Sequence, residues 1–308
     1  MGTVHRLIER HGVATARNMA ETKTDMMAVN AAASIMAEEE NRLGITHAGF
    51  AMTNLPHHHI DGSVWIRKGL STTLHVESGR TKNGDLIGVP FGSLARLILL
   101  YLQTQATRTG NPEVELGSSM KAWMERMGLE RGGRTYKTVA EQSRRISTCK
   151  LTFFAESGDA EIRENGAFVS GSISMAGLAD GNQTRLWKDR VRLDDGFWKS
   201  LQAHPVPVRE DAIQAISTRS MAIDLYIWLA YRLHSLSKPT PISWVALHAQ
   251  FGGGIALVKH LRPRLIEALQ LALAVYPEAH VDVTKTGLTL HPSSPAVPKA
   301  EARRIGIA

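Results

Sequence analysis

The sequence predicts an α+β fold in which two modules of the same layout follow one another behind a helical N-terminal extension. Three observations predict it. Apolar residues recur at helical spacing in several segments, short alternating segments between turn residues indicate strands, and one order of these elements occurs twice. The patterns place the extension, helical and then with short strands, at residues 1–85, the modules at 86–184 and 185–292, and a flexible tail at 293–308.

The first module begins with the apolar segment LARLILLYLQTQ after Ser93, which is typical of a buried helix. A short strand at 113–116 precedes a second helix, which Ser118 begins and Gly128 ends. After two glycines, the basic stretch GRTYKTVAEQSRRIST predicts a third helix. CKLTFFAE then predicts a strand, and GAFVSGSISMA predicts the strand that returns beside it.

The second module repeats this order. MAIDLYIWLAYRL predicts a buried helix, and WVALHAQF predicts a shorter one after Ser243. VKHLRPRLIEALQLALAV predicts a third helix that either begins at Pro263 or is kinked there, because proline disrupts a helix interior. AHVDVTKTGLTLHP predicts a hairpin with its turn at Lys285–Gly287, and Trp244 falls in an apolar pattern typical of core.

Helices followed by a hairpin form the layout of a winged helix, whose third helix can enter the major groove while the hairpin touches the neighbouring backbone. The predicted architecture is therefore two tandem winged-helix domains. Residues 121–150 contain eight lysines and arginines against three glutamates, whereas the whole chain has a formal charge of +7. A charged helix face is often only solvated, but its place on a third helix favours DNA binding.

The residue types on the two basic helices indicate individual roles. Arg and Lys near the N-terminal end suit base edges, and those further along suit phosphates. The predicted contacts of the first module are Arg134 and Lys137 for bases, Arg144, Arg145 and Lys150 for phosphates, and Thr135 and Thr138 for either. Those of the second are Lys259, Arg262 and Arg264, with Lys285 as a phosphate contact in the turn. For the second helix, a solubilising rim is the alternative interpretation.

With both modules placed, the chain resembles the RepA-type plasmid replication initiators. The resemblance lies in FGSLARLILLYLQTQATRTG, in residues 118–149, in SMAIDLYIWLAYRL and in ALVKHLRPRLIEALQLAL with its hairpin, roughly from Gly88 to Pro292. It implies two winged-helix domains that bind direct repeats in double-stranded plasmid origin DNA. It also implies origin opening, recruitment of the host replicative helicase and, often, repression of the initiator's own gene. Monomer and dimer both remain open.

The sequence lacks the signatures of several other classes of protein. Cys149 is the only cysteine, which excludes an intramolecular disulfide and a CxxC zinc site and fits a reducing compartment. The N-terminus carries charges where a signal peptide needs an apolar core, and no apolar run approaches the roughly twenty residues of a membrane span. No GxxxxGK[ST] loop is present. A cytoplasmic protein with no membrane partner and no cofactor is expected.

Two alternatives stay open beside the initiator. A winged-helix transcriptional repressor would bind a short inverted repeat. A metal-dependent nickase would use His57 and His59 in LPHHHID, with Asp61 as a third ligand. However, His58 stands where nickases have an aliphatic residue, and no tyrosine lies in a recognisable nucleophile motif. We therefore expect a protein without catalytic activity and without a metal.

Overall fold

A computed structural model describes residues 2–38, 40, 42–69, 72–129, 132–157, 160–170 and 190–304. In these ranges helices and strands are mixed, which confirms the predicted α+β class. The chain forms two compact units: unit 1 contains Met1–Gly44 and Val206–Ala308, and unit 2 contains Ile45–Pro205. No helix in the described ranges is both long and apolar enough to cross a membrane.

The elements are numbered in chain order. The described helices are α1 Thr3–Asn18, α2 Lys23–Ala37, α3 Ala48–Met52, α4 Gly92–Thr109, α5 Gly117–Arg126, α6 Gly133–Thr148, α7 Asp195–Ala203, α8 Glu210–Ala215, α9 Ser220–Arg232, α10 Trp244–Phe251, α11 Val258–Ala274 and α12 Lys299–Arg304. The described strands are β1 Leu43–His47, β2 Val64–Lys68, β3 Thr72–Glu77, β4 Glu113–Glu115, β5 Lys150–Ser157, β6 Ala160–Ala167, β7 Val169–Ser170, β8 Arg190–Leu193, β9 Pro205–Arg209, β10 Thr240–Ser243, β11 Val281–Val283 and β12 Gly287–Leu290.

Unit 2 is built on an antiparallel sheet in the order β2-β3-β5-β6. Alternate residues of its strands point to one side, where Leu74 lies opposite Phe153 and both are buried. Helix α4 packs against α6 and is buried along most of its length, because its apolar residues are not confined to one stripe. A smaller sheet in the order β4-β8-β7 completes the unit.

Unit 1 contains α9, which is buried on most sides, and a three-stranded sheet in the order β10-β12-β11. Helix α11 begins at Val258 and continues through Pro263, so the helix does not start at the proline. Helices α1 and α2 also belong to this unit. His5 Nε2 lies 3.0 Å from the carbonyl oxygen of Ala274, and Gln270 donates a hydrogen bond of 2.6 Å to Asp25.

The compact units divide the chain at other points than the predicted boundaries. Residues 45–85, assigned from sequence to the extension, belong to unit 2 because β3 pairs with β5. Residues 190–205 also belong there, because β8 pairs with β4. The first residues of the predicted flexible tail are packed against unit 1. Ala296 and Val297 are buried, and the Ala296 carbonyl accepts a 3.0 Å hydrogen bond from Arg209.

The strand that returns beside β5 also lies earlier than predicted. It is Ala160–Ala167, paired with β5 from Ser157↔Ala160 to Lys150↔Ala167, whereas the sequence indicated residues 166–176. The segment AEIRENGA is mostly polar, so it lacks the apolar alternation that marks a strand. Backbone hydrogen bonds to β5 form it regardless. Residues 171–176 of the predicted strand lie outside the described ranges.

A neutral histidine is part of the core of unit 2. His47 stacks on Phe153 at 4.9 Å between ring centroids, accepts a hydrogen bond from the Gly49 amide through Nδ1, and lies 2.7 Å from Ser200 Oγ through Nε2. Burial, with a smaller contribution from His204, lowers the pKa of His47 from 6.5 to about 3. The imidazole is therefore uncharged at neutral pH.

We predict that acid destabilises unit 2 through His47. The folded pKa lies below the unfolded value, so the unfolded chain binds the extra proton between pH 6.5 and about 3. Stability is complete above pH 6.5 and falls with pH by up to about 1.4 kcal/mol per pH unit for this one group. His47→Gln should reduce that slope, measured by urea unfolding between pH 4 and 6.5.

Candidate nucleic-acid interface

Helix α6 presents positive charge on the side opposite its buried face. Val139 and Ile146 are completely buried, and Gln142 accepts a 2.9 Å hydrogen bond from the Phe91 amide, so these residues hold the helix to its unit. Tyr136 is half-buried. The predicted contacts that the structure leaves exposed in the first module are Arg134, Lys137, Thr138, Arg144 and Lys150.

Helical spacing aligns several of these side chains. Lys137 and Arg144 are seven residues apart and therefore lie on one face, two turns from each other. Thr138 donates a 3.0 Å hydrogen bond to the Arg134 carbonyl, which ties its hydroxyl to the helix backbone. Thr135 is half-buried. The exposed face can thus offer two or more cationic donors to an anionic partner along its length.

Arg145 was predicted to contact a phosphate, but its side chain is buried. Its side chain is 8% exposed and turns inward, because it lies on the same helix face as Gln142 and Cys149. The guanidinium donates to Glu141 Oε1 at 2.8 Å and to the Val89 carbonyl at 3.1 Å, and its central carbon lies 5.1 Å from the centroid of the Phe91 ring. Arg145 therefore holds the segment before α4 against α6 instead of facing a phosphate.

The second module places its predicted residues around one tryptophan. Lys259, Arg262, Arg264 and Lys285 are all exposed. The Arg262 guanidinium lies over the Trp244 ring, 5.2 Å from its centroid, and Trp244 Nε1 donates a 3.1 Å hydrogen bond to the Lys285 carbonyl. The turn at residues 284–286 joins β11 to β12, as the sequence predicts. Trp244 thus links the basic helix to the hairpin turn.

Sequence patterns missed this role of Trp244. The residue is buried, in agreement with its apolar pattern, but one face of the ring supports Arg262 and the ring nitrogen donates to the turn. The signal was the position of Trp244, directly after the helix-capping Ser243 and near a basic helix. Two further exposed cations that the sequence did not single out, Arg80 and Lys82, lie in the loop between β3 and α4.

In the LPHHHID segment, His57 and His59 have different surroundings. His57 Nδ1 lies 3.5 Å from the Arg96 guanidinium, and burial, followed by the charge of Arg96, lowers the pKa of His57 well below 6.5. His59 stands apart, with its Nδ1 3.5 Å from an oxygen of the exposed Asp61. Within the part of the chain that the structure describes, no group of three or more His, Cys, Asp or Glu is arranged to hold a metal ion.

Comparison with known proteins finds one matching family and three similar chains of known structure. A family model described as "Plasmid encoded RepA protein" matches residues 89–245. A crystal structure of domains 2 and 3 of RctB is 10% identical, with a TM-score of 0.48 over 82% of this chain and 97% of that one. A second RctB structure of these domains is 10% identical, with a TM-score of 0.43 over 78% and 93%. No curated protein sequence matches significantly.

We predict that Arg144 and its neighbour Arg145 respond differently to substitution. Arg145→Ala removes the guanidinium partner of a buried carbonyl and of Phe91, so unit 2 should lose about 2–4 kcal/mol of its unfolding free energy. The exposed Arg144→Ala should stay within about 0.5 kcal/mol. Hydrogen exchange of the α6 amides during urea titration measures the unfolding free energy of each variant. Equal stability of the two variants would contradict the assignment of Arg145.

Proposed function

The chain belongs to the family of plasmid-encoded RepA replication initiators, and from this premise we propose that it binds double-stranded DNA at repeated sites in a plasmid origin. The observation that carries the proposal is the exposed row of cations on α6, on the side opposite its buried residues. A basic helix of this kind matches the charge of the DNA backbone and the width of the major groove.

The proposal includes a winged-helix arrangement in each module. In the first, α4, α5 and α6 precede the antiparallel pair of β5 and β6. In the second, α9, α10 and α11 precede the pair of β11 and β12. Three helices followed by a hairpin support this assignment, with α6 and α11 as the recognition helices.

Position along α6 divides the contacts between bases and phosphates. Arg134 and Lys137, in the first half of the helix, are the proposed base-reading residues. Arg144 near the end of the helix, and Lys150 at the start of β5, are the proposed phosphate contacts. Thr135 and Thr138 add oxygen atoms near the base-reading end. Since Arg145 is buried, its proposed role is to hold α6 in place.

The second module contributes mainly phosphate contacts. Arg262 is supported by the Trp244 ring, which restricts its side chain, and Lys285 stands in the turn whose carbonyl the same ring binds. Lys259 and Arg264 flank Arg262 on α11. These residues present positive charge on both the helix and the hairpin, which fits a DNA backbone better than a solubilising rim on the helix alone.

The family premise extends the proposal to partners. We propose that the chain acts without catalysis of its own, that the host replicative helicase joins the bound origin, and that binding near its own gene represses it. Dimer and monomer forms are both compatible with binding to direct repeats. A purely regulatory protein of similar layout would instead occupy an inverted repeat as a dimer.

We expect a footprint of the purified chain on the DNA around its gene to protect several direct repeats. Spacing near one helical turn, or a multiple of it, would place successive copies on the same side of the duplex. A single protected inverted repeat would support a repressor instead. Incubation of supercoiled DNA with magnesium or manganese should give no nicking, and nicking lost on His57→Ala would contradict the proposal of a non-catalytic initiator.

Single substitutions on α6 should separate the two kinds of contact. Arg144→Ala should weaken binding to every sequence alike and lower the slope of log K against log salt by about one unit, because one phosphate contact is lost. Lys137→Ala should lose about 1–3 kcal/mol of discrimination at one base position. Fluorescence anisotropy with a set of single-base variants measures both, and the exposed Lys199→Ala on α7 serves as the charge-matched control.

A further inference from the structure

The loop Ser78–Gly88 between β3 and α4 is a short ribbon with its own hydrogen bonds. Arg80 and Leu86 pair as an antiparallel bridge, and the Thr81 amide donates to the Asp85 carbonyl at 2.8 Å. The tip is Lys82-Asn83-Gly84, where Gly84 adopts a φ of 91° that favours glycine. The ribbon therefore has a defined shape although its residues bury little apolar surface.

Both ends of this Ser78–Gly88 ribbon are fixed to the last turn of α6. The Gly79 backbone lies so close to Thr148 that a Cβ at this glycine would overlap with it. Gly88 has a φ of 94° and packs its backbone against the Arg145 guanidinium. The Gly88 amide also donates a 2.7 Å hydrogen bond to Ser78 Oγ, which closes the base. Arg145 and Thr148 thus set where the ribbon stands.

The ribbon contacts α6 on the helix face that carries its exposed cations. Thr148 lies one turn beyond Arg144 on the same face, and Arg144 lies two turns beyond Lys137. On the ribbon itself Arg80 and Lys82 are exposed. Arg80 also donates a 2.6 Å hydrogen bond to the Gly84 carbonyl, so this guanidinium braces the turn.

The length of α6 indicates which part of a bound duplex would lie next to the ribbon. From Arg134 to Thr148 the helix rises about 21 Å, at 1.5 Å per residue. The major groove is about 12 Å wide, so a helix that reads bases with its first half and crosses the groove ends over the sugar-phosphate backbone. We propose that the Ser78–Gly88 ribbon binds a backbone phosphate there through Lys82. The inference rests on the proposed function and adds a third contacting element to it.

The hairpin of β5 and β6, the predicted wing, is not placed to contact the same phosphate. Its strand β5 starts at Lys150, opposite Glu77 at the base of the ribbon, and runs away from that end of the sheet to Ser157. Seven residues of strand cover about 23 Å. The far end of β5 at Ser157 is therefore distant from the last turn of α6, whereas the ribbon is in contact with that turn.

A tethered cleavage experiment locates the ribbon on DNA. Cys149 is buried, and burial raises the pKa of its thiol to about 12, so it stays unreactive in the folded full-length chain. Asn83→Cys places one reactive thiol at the tip for an iron–EDTA group. We expect strand cleavage at one or two backbone positions at one edge of each protected repeat. Lys68→Cys, exposed on β2 at the other end of β3, should not cleave at those positions.

Charge substitutions test the same contact without a probe. Lys82→Ala should lower the slope of log K against log salt by about one unit, and Asp85→Asn should tighten binding because a repelling carboxylate is removed. Lys68→Ala, the matched loss of one charge, should leave the slope unchanged. Arg80 is left intact because it braces the turn.

The outcomes separate this inference from the proposed function. A normal footprint with no cleavage from Asn83→Cys, or an unchanged slope for Lys82→Ala, would overturn the ribbon contact and leave origin binding in place. Absence of any footprint from the unsubstituted chain would overturn the proposed function itself. Cleavage at the expected positions together with a reduced slope supports both.

Discussion

The orientation of α6 depends on the buried guanidinium of Arg145. Removing an arginine from water is costly unless its donors are satisfied, and here Glu141 and the Val89 carbonyl accept from it while Phe91 covers its face. Val89 and Phe91 lie in the short segment between the ribbon and α4, and Glu141 lies on α6 itself. The interaction therefore fixes the rotation of α6 about its axis, and with it the outward face that carries Arg134, Lys137 and Arg144. A purely apolar contact would fix this rotation less strictly, because it is not directional.

The same residue shows what the sequence could and could not predict. The amphipathic pattern predicted α6, its buried Val139 and Ile146 and its exposed cations, because these features are local. It treated Arg144 and Arg145 alike, although neighbours on a helix point about 100° apart. Arg145 stands three residues after Gln142, on the buried side, so the spacing contained the signal. What no spacing could supply was the acceptor, the Val89 carbonyl, more than fifty residues earlier.

Domain composition was less predictable for a related reason. Residues 1–44 pack in unit 1 through contacts such as His5 with Ala274, which lie far apart in the chain. The tail is held by Arg209, again a distant residue. Local propensity determines whether a segment is a helix, but not which surface buries it. The strand at residues 160–167 was missed for a different reason. Backbone pairing with β5 forms a strand there, although polar and apolar side chains do not alternate along it.

The two modules hold their cations by different means, and this bears on how each contributes to binding. In the second module the Trp244 ring restricts Arg262, so part of the entropy cost of ordering this side chain is met before any partner binds. In the first, no contact between described residues restrains the charged groups of Arg134, Lys137 or Arg144 in this way. Flexible cations can adjust to base edges at the cost of ordering them, whereas a stacked guanidinium suits a phosphate at a fixed place. Under the proposed function, sequence discrimination falls to the first module, and the second adds affinity that depends little on sequence.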